Sequence, residues 1–152
     1  MRRNLYGLFI DFSTAYNTIL HTKLYKDLER VLEKEEIQLI KAIYSRNKIK
    51  LGDQSFKPNI GVAQGSIISP FLFNIYCENL YNQLIQEESI NKEDLLGYAD
   101  DILVLCTSII QLKKVIKRIK EWSSTNNLKL NTKNQESLNL NQELEKQQND
   151  LQ

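Results

Sequence analysis

Residues 95–106 read LLGYADDILVLC, two acidic side chains held between two strongly apolar arms. Short apolar runs bounded by turn residues read as buried strands. The stretch is therefore expected to form strand, turn at Ala99 to Asp101, strand, with Asp100 and Asp101 at the tip. Asp is common in turns, so on this stretch alone a solvated hairpin end is the simpler account. The other account starts from charge. Two carboxylates about 4 Å apart in a partly buried site repel by about 4 kcal/mol at an effective dielectric of about 20, against a total stability of about 5–15 kcal/mol. A bound cation removes that cost.

Composition bounds the answer loosely. A chain of 152 residues, 41% hydrophobic and 26% charged, suits one globular domain. Its net charge of +1 lacks the excess of Lys and Arg with which a protein grips a phosphate backbone unaided. Any nucleic-acid contact must then be local or shared. Cys77 and Cys106 lie far apart, and with His21 as the single histidine no zinc-ligand spacing can be read, so a reducing compartment is the default. No apolar run approaches the roughly 20 residues of a membrane span. The start MRRN leads into a stretch too soon interrupted for a signal peptide, and an intracellular protein with no membrane partner is expected.

Further elements follow from periodicity. LYGLFIDF predicts a buried strand with Asp11 near its C-terminal end. Two helices are expected next, one with Leu24, Leu28, Val31 and Leu32 on its apolar face, the other with Leu39, Ile40 and Ile43. IKLGDQSFKP suggests a hairpin turning at Gly52 and Asp53. The loop NIGVAQGSIISP leads to a helix with Ser69 as N-cap and Pro70 in its first turn, burying Leu72, Ile75, Tyr76, Leu80 and Leu84. Leu112, Val115, Ile116, Ile119 and Trp122 mark the clearest helix, capped by Thr107 or Ser108. The alternation suggests a sheet covered by helices. The boundary between domain and a loose polar tail is set at 1–134 and 135–152.

Asp11 supplies a third acid if its strand lies beside the hairpin. Hard divalent ions take oxygen ligands, and Mg²⁺ is typically held by one or two carboxylates together with substrate phosphates, so the set suggests phosphoryl transfer. The loop GVAQGSIISP adds glycines that permit close backbone approach, the amide of Gln64 and the hydroxyl of Ser66. Alone, such a loop is most often a connection.

FIDFSTAYNTI, GVAQGSIISPFLFNIY and YADD together, in this order, resemble the palm of a reverse transcriptase. Ala99 within YADD, SPFLFNIY and NTILHTKL lean toward the non-LTR retrotransposon and group II intron branch. The resemblance covers roughly residues 5–134. It implies an α+β palm, a ferredoxin-like antiparallel sheet backed by helices, with fingers and thumb largely missing. It also implies an RNA-directed DNA polymerase acting on an RNA template, a DNA or RNA primer and dNTPs. Asp11 and Asp100 resemble ligands of two Mg²⁺ ions, with Mn²⁺ a possible substitute, and Asp101 resembles their acidic neighbour. Tyr16 resembles the aromatic gate against a ribose 2′-hydroxyl; its plainer reading is a core tyrosine. Phe12 resembles a position whose backbone faces the triphosphate. Gln64 resembles a nucleotide-contacting glutamine, with Gly65 and Ser66 shaping the same wall. Tyr98 is expected to pack under the turn.

Some residues depart from that pattern. Asn17 stands where many relatives place Asp, and in NTKNQES Asn134 takes the usual Lys position, leaving Lys133, one residue early, as the candidate contact of that later block. Fingers before Met1 and a thumb after Gln152 are expected to belong to a longer polyprotein. The alternatives are a remnant that folds and at most binds nucleic acid or a partner, and a palm that makes RNA, which Tyr16 argues against. Nuclear action is implied only for a eukaryotic element.

Overall fold

The computed structural model describes residues 5–46, 48–131 and 137–139. Strand β1 (Tyr6–Ile10) pairs antiparallel with β6 (Asp101–Cys106), and β6 pairs with β5 (Leu95–Tyr98), giving the expected hairpin. On the other side of β1 lies β8 (Ser137–Asn139), so the sheet order is β5-β6-β1-β8, antiparallel throughout. Helix α3 (Ser69–Gln86) connects β1 to β5 around β6, and α4 (Ile109–Thr125) connects β6 to β8 around β1. This is the split βαβ arrangement of a ferredoxin-like fold. Strand β8 falls within the stretch assigned to the loose tail from its polar composition. Backbone pairing to β1 needs no apolar side chain, which is why composition missed it.

Alternation decides which side of the sheet meets the helices. Leu8, Ile10, Ile102, Val104 and Cys106 point inward and are buried, while Phe9 and Leu96 are on the open face. Tyr98 shares that open face and is 84% exposed, so it does not pack under the turn. The inner face meets Leu72, Ile75, Tyr76, Leu80 and Leu84 of α3, all buried as expected, and Leu112, Val115, Ile119 and Trp122 of α4, with Ile116 half-buried. Ser108 caps α4, accepting from the Gln111 amide at 3.1 Å. Ser69 does not cap α3; it lies inside the first turn, buried, and its hydroxyl donates to the Ala63 carbonyl at 2.6 Å. Pro70 occupies the first turn, where its missing N–H costs nothing.

Between β1 and α3 lie β2 (Phe12–Ser13), a 3₁₀ turn (Ala15–Thr18), α1 (His21–Leu28), α2 (Lys34–Arg46) and the hairpin of β3 (Ile49–Leu51) and β4 (Gln54–Phe56), which turns at Gly52 and Asp53. Leu24 and Leu28 of α1 are fully buried, but α1 ends before Val31, which is 47% exposed. Helix α2 buries Ile37 and Tyr44 rather than the expected face; Leu39 and Ile43 are exposed. Ile37, Ile40 and Tyr44 make a second stripe at i, i+3, i+7, and tertiary packing selected it. The buried Asp27 binds Lys23 and Arg30, and the Lys23 ammonium lies 3.9 Å from the Tyr76 ring centroid, fastening α1 to α3. Both cysteines are buried; burial pushes the Cys106 thiol up to about 11, and Cys77 further. Among the described residues, no helix is long and apolar enough to cross a membrane.

Candidate functional site at the hairpin tip

Tyr98 and Asp101 form the closing pair of the β5–β6 hairpin, so its turn consists of Ala99 and Asp100 alone, one residue shorter than expected. Ala99 takes a left-handed φ of 55°, which a two-residue hairpin turn calls for and which costs a side-chain-bearing residue stability. Asp100 is half-buried and Asp101 exposed. In β1 the last pair is Ile10 with Ile102. Asp11 follows by one residue and Asp101 precedes by one, so the same register carried one step further sets them opposite each other. The sheet thus brings the first acid to the hairpin from 90 residues away in sequence (101 − 11).

Asp11 is also where β1 gives way to β2, which pairs with β7 (Lys129–Leu130). Just past β7, Asn131 clamps Asp11 twice. Its backbone N–H donates to the Asp11 carbonyl and its side-chain amide to Asp11 Oδ2, both at 2.9 Å. Asn131 begins the block NTKNQES, yet its contact with Asp11 had no signal in the sequence, since 120 residues separate the two. Lys133, and Asn134 with it, lies outside the described residues.

Tyr16 reaches the same corner. Its ring packs on Phe73 with centroids 5.6 Å apart, and its hydroxyl is pushed above the usual phenol range by burial, then by Asp100, Tyr98 and Asp101. It is therefore both a packing residue and a neighbour of the acidic turn. Phe12 is buried against Phe73, with centroids 6.2 Å apart, so only its backbone is available to a ligand. Gln64 and Gly65 are exposed and Ser66 half-buried, on a loop whose start is laced to the Tyr16 segment by the Val62 N–H donating to the Tyr16 carbonyl at 2.7 Å. Gly65 has φ 79°, a conformation that favours glycine.

The donor set is all oxygen, as a hard divalent cation requires. Among the described residues, no three His, Cys, Asp or Glu side chains converge closely enough to hold a metal ion. The last β1–β6 pair, Ile10 with Ile102, stands one step short of Asp11 and Asp101, and the Asp11 carboxylate is turned to Asn131. The residues fit such an ion in donor chemistry, and strand pairing brings their chain segments to one corner of the sheet.

Thr14, between Asp11 and Tyr16, is a second strained position: exposed, β-branched, at φ 52°, ψ 41°. Thr14→Asn, which tolerates that conformation, is expected to raise stability by about 0.5–1 kcal/mol, seen as a higher denaturation midpoint. A lowered midpoint would mean that the threonine makes contacts that outweigh its strain.

The model of the family described as reverse transcriptase (RNA-dependent DNA polymerase) matches residues 1–142. The RNA-directed DNA polymerase from mobile element jockey of Drosophila funebris is 27% identical over 135 residues, 81% of this chain and 15% of that protein. The polyprotein of the type-2 retrotransposable element R2DM of Drosophila melanogaster is 26% identical over 139 residues, 85% of this chain and 13% of its own length. The chain thus spans a small part of the length of the curated relatives it matches. Among solved structures, a telomerase from Candida tropicalis in complex with a fragment of telomeric RNA superposes with a TM-score of 0.72 at 16% identity, over 90% of this chain and 26% of that one. At that identity the likeness is one of fold.

Proposed function

The chain belongs to the reverse transcriptase (RNA-dependent DNA polymerase) family, and with that as premise we propose that it is the palm of a non-LTR retroelement polymerase that copies an RNA template into DNA. The observation that carries this reading is the corner itself: the Asp100–Asp101 turn, Asp11 one register step beyond the last β1–β6 pair, and Tyr16 beside the turn. In this reading Asp11, Asp100 and Asp101 hold two divalent ions, Mg²⁺ or in substitution Mn²⁺. When bound, such ions lower the pKa of the attacking hydroxyl and offset charge on the leaving oxygen.

The chain's own residues do the rest. The Phe12 ring is buried, and in this reading the Phe12 backbone faces the triphosphate. In this reading the Tyr16 ring, which packs on Phe73, is the aromatic gate against a ribose 2′-hydroxyl. Gln64 offers a side-chain amide to the incoming nucleotide, Gly65 allows close approach, and Ser66 contributes a hydroxyl; Lys133 is the candidate contact from the later block. An RNA template, a DNA or RNA primer and dNTPs are the substrates. The net charge of +1 is too balanced to hold the duplex alone, and in this reading further basic segments share that task. The domain boundary expected at 134 moves outward in this reading, because β8 (Ser137–Asn139) is a strand of the same sheet. Nuclear action follows if the element is eukaryotic.

The test is primer extension on an RNA template, by this chain and by any longer product of its reading frame, with and without a metal chelator. Metal-dependent addition of dNTPs in template order is expected. Tyr16→Ala is expected to raise ribonucleotide incorporation relative to deoxyribonucleotide by about tenfold or more, because a steric exclusion is lifted. A folded protein with no metal-dependent extension in either form would overturn the reading in favour of a binding role alone.

A further inference from the structure

We propose that His21 is a positioning residue for the nucleotide site: through Gly61 it holds the loop carrying Gln64, Gly65 and Ser66 against the segment carrying Tyr16. This rests on the reading of that loop and of Tyr16 given above. His21 opens α1 and is 6% exposed. Its Nε2 lies 2.6 Å from the Gly61 carbonyl oxygen, and since a carbonyl can only accept, the proton is on Nε2. The ring sits between Tyr25 and Tyr44, with centroids 5.7 and 5.4 Å away, which fixes its orientation.

That bond is one of four that lace two stretches of chain together. The His21 N–H donates to the Asn59 carbonyl at 3.2 Å, the Gly61 N–H to the Ile19 carbonyl at 2.7 Å, and the Val62 N–H to the Tyr16 carbonyl at 2.7 Å. Of these four, only the bond from the imidazole is made by a side chain, so it is the one a substitution removes cleanly. The approach is close: Gly61 has φ 87°, and a Cβ there would stand 3.2 Å from the Asn17 carbonyl oxygen. Past the loop, Ser69 binds the Ala63 carbonyl at 2.6 Å. Gln64 and Gly65 therefore project from a short span pinned at both ends, and His21 controls the first pin. The tip residues reach a nucleotide only as accurately as these pins hold them.

The experiment compares amide hydrogen exchange and dTTP binding in Mg²⁺, the latter by NMR shifts of Tyr16 and Gln64, for the wild-type chain, His21→Leu and His21→Gln. His21→Leu is expected to speed exchange at Gly61 and Val62, and to weaken dTTP binding, by about tenfold each, the scale of one lost side-chain hydrogen bond. The β6 amides of Leu103 and Val104 should keep their protection, which separates loss of the pin from loss of the fold. His21→Gln retains a donor amide and is expected to recover most of both effects, which a purely packing role would not allow. Unchanged exchange at Val62 in His21→Leu, or faster exchange there with unchanged dTTP affinity, or no recovery in His21→Gln, would overturn the inference. A wild-type chain whose Tyr16 and Gln64 signals ignore dTTP would instead overturn the nucleotide reading of the site, and the inference with it.

Discussion

Asp100→Asn is expected to abolish metal-dependent primer extension, a loss of about a thousandfold or more, while leaving the fold intact. Asp100 is half-buried at a hairpin tip, makes none of the strand pairs, and stands beside a second carboxylate. Removing its charge therefore costs the fold little, and stability should stay within about 0.5 kcal/mol or rise slightly as repulsion from Asp101 is relieved. The substitution has a further readout that needs no catalysis. Asp100 is the largest charged contribution holding the Tyr16 hydroxyl above the usual phenol range, after burial. A phenolate forms more easily when a neighbouring negative charge is removed, so the Tyr16 pKa should fall in Asp100→Asn, though burial keeps it raised. Unchanged Tyr16 titration would mean that the tyrosine does not face the turn, and unchanged extension would sink the metal assignment.

Phe73→Ala should have the largest effect on stability. Phe73 is fully buried on α3 and is the ring on which both Phe12 and Tyr16 rest. Truncating a buried Phe costs about 3–5 kcal/mol, from lost burial and the cavity left behind, out of a total of about 5–15 kcal/mol. A denaturant midpoint lowered by about a fifth or more of its value is expected. Phe73→Leu, which keeps most of the volume, should cost about 1–1.5 kcal/mol. Because Tyr16 loses its brace in both variants, discrimination against ribonucleotides should weaken in Phe73→Leu even where the protein remains folded. A midpoint for Phe73→Ala close to wild type would show that α3 does not pack on β2 as described.

The corner where these effects meet was partly legible in the sequence. Apolar arms around Asp100 and Asp101 called for a hairpin with acids at the tip, and the hairpin is there, because alternation along short strands is a local property. The burial of α4 was legible for the same reason, since it offers one apolar face, whereas α3 is apolar on more than one side and also buries Phe73 and Cys77 beyond the expected residues. Helix α2 shows where this fails. With apolar residues at 37, 39, 40, 43 and 44 it offered two faces, and only contact with the rest of the protein chose Ile37 and Tyr44 over Leu39 and Ile43. Ser69 shows a different failure: a residue suited to capping was taken instead by a carbonyl across the loop.

What the sequence determined by itself, then, is the strands and helices with an apolar pattern of their own, not β2, β7 or β8, and the identity of the acids. It also carried the blocks FIDFSTAYNTI, GVAQGSIISPFLFNIY and YADD, whose order is a linear property of the chain. Tertiary structure decided which residues support them. Asn131 reaches Asp11, His21 reaches Gly61, and Lys23 reaches Tyr76 across 120, 40 and 53 residues. Such pairs leave no periodic trace, because a polar contact between distant segments exists only after hydrophobic burial has brought the segments together, and any of several polar residues could have made it.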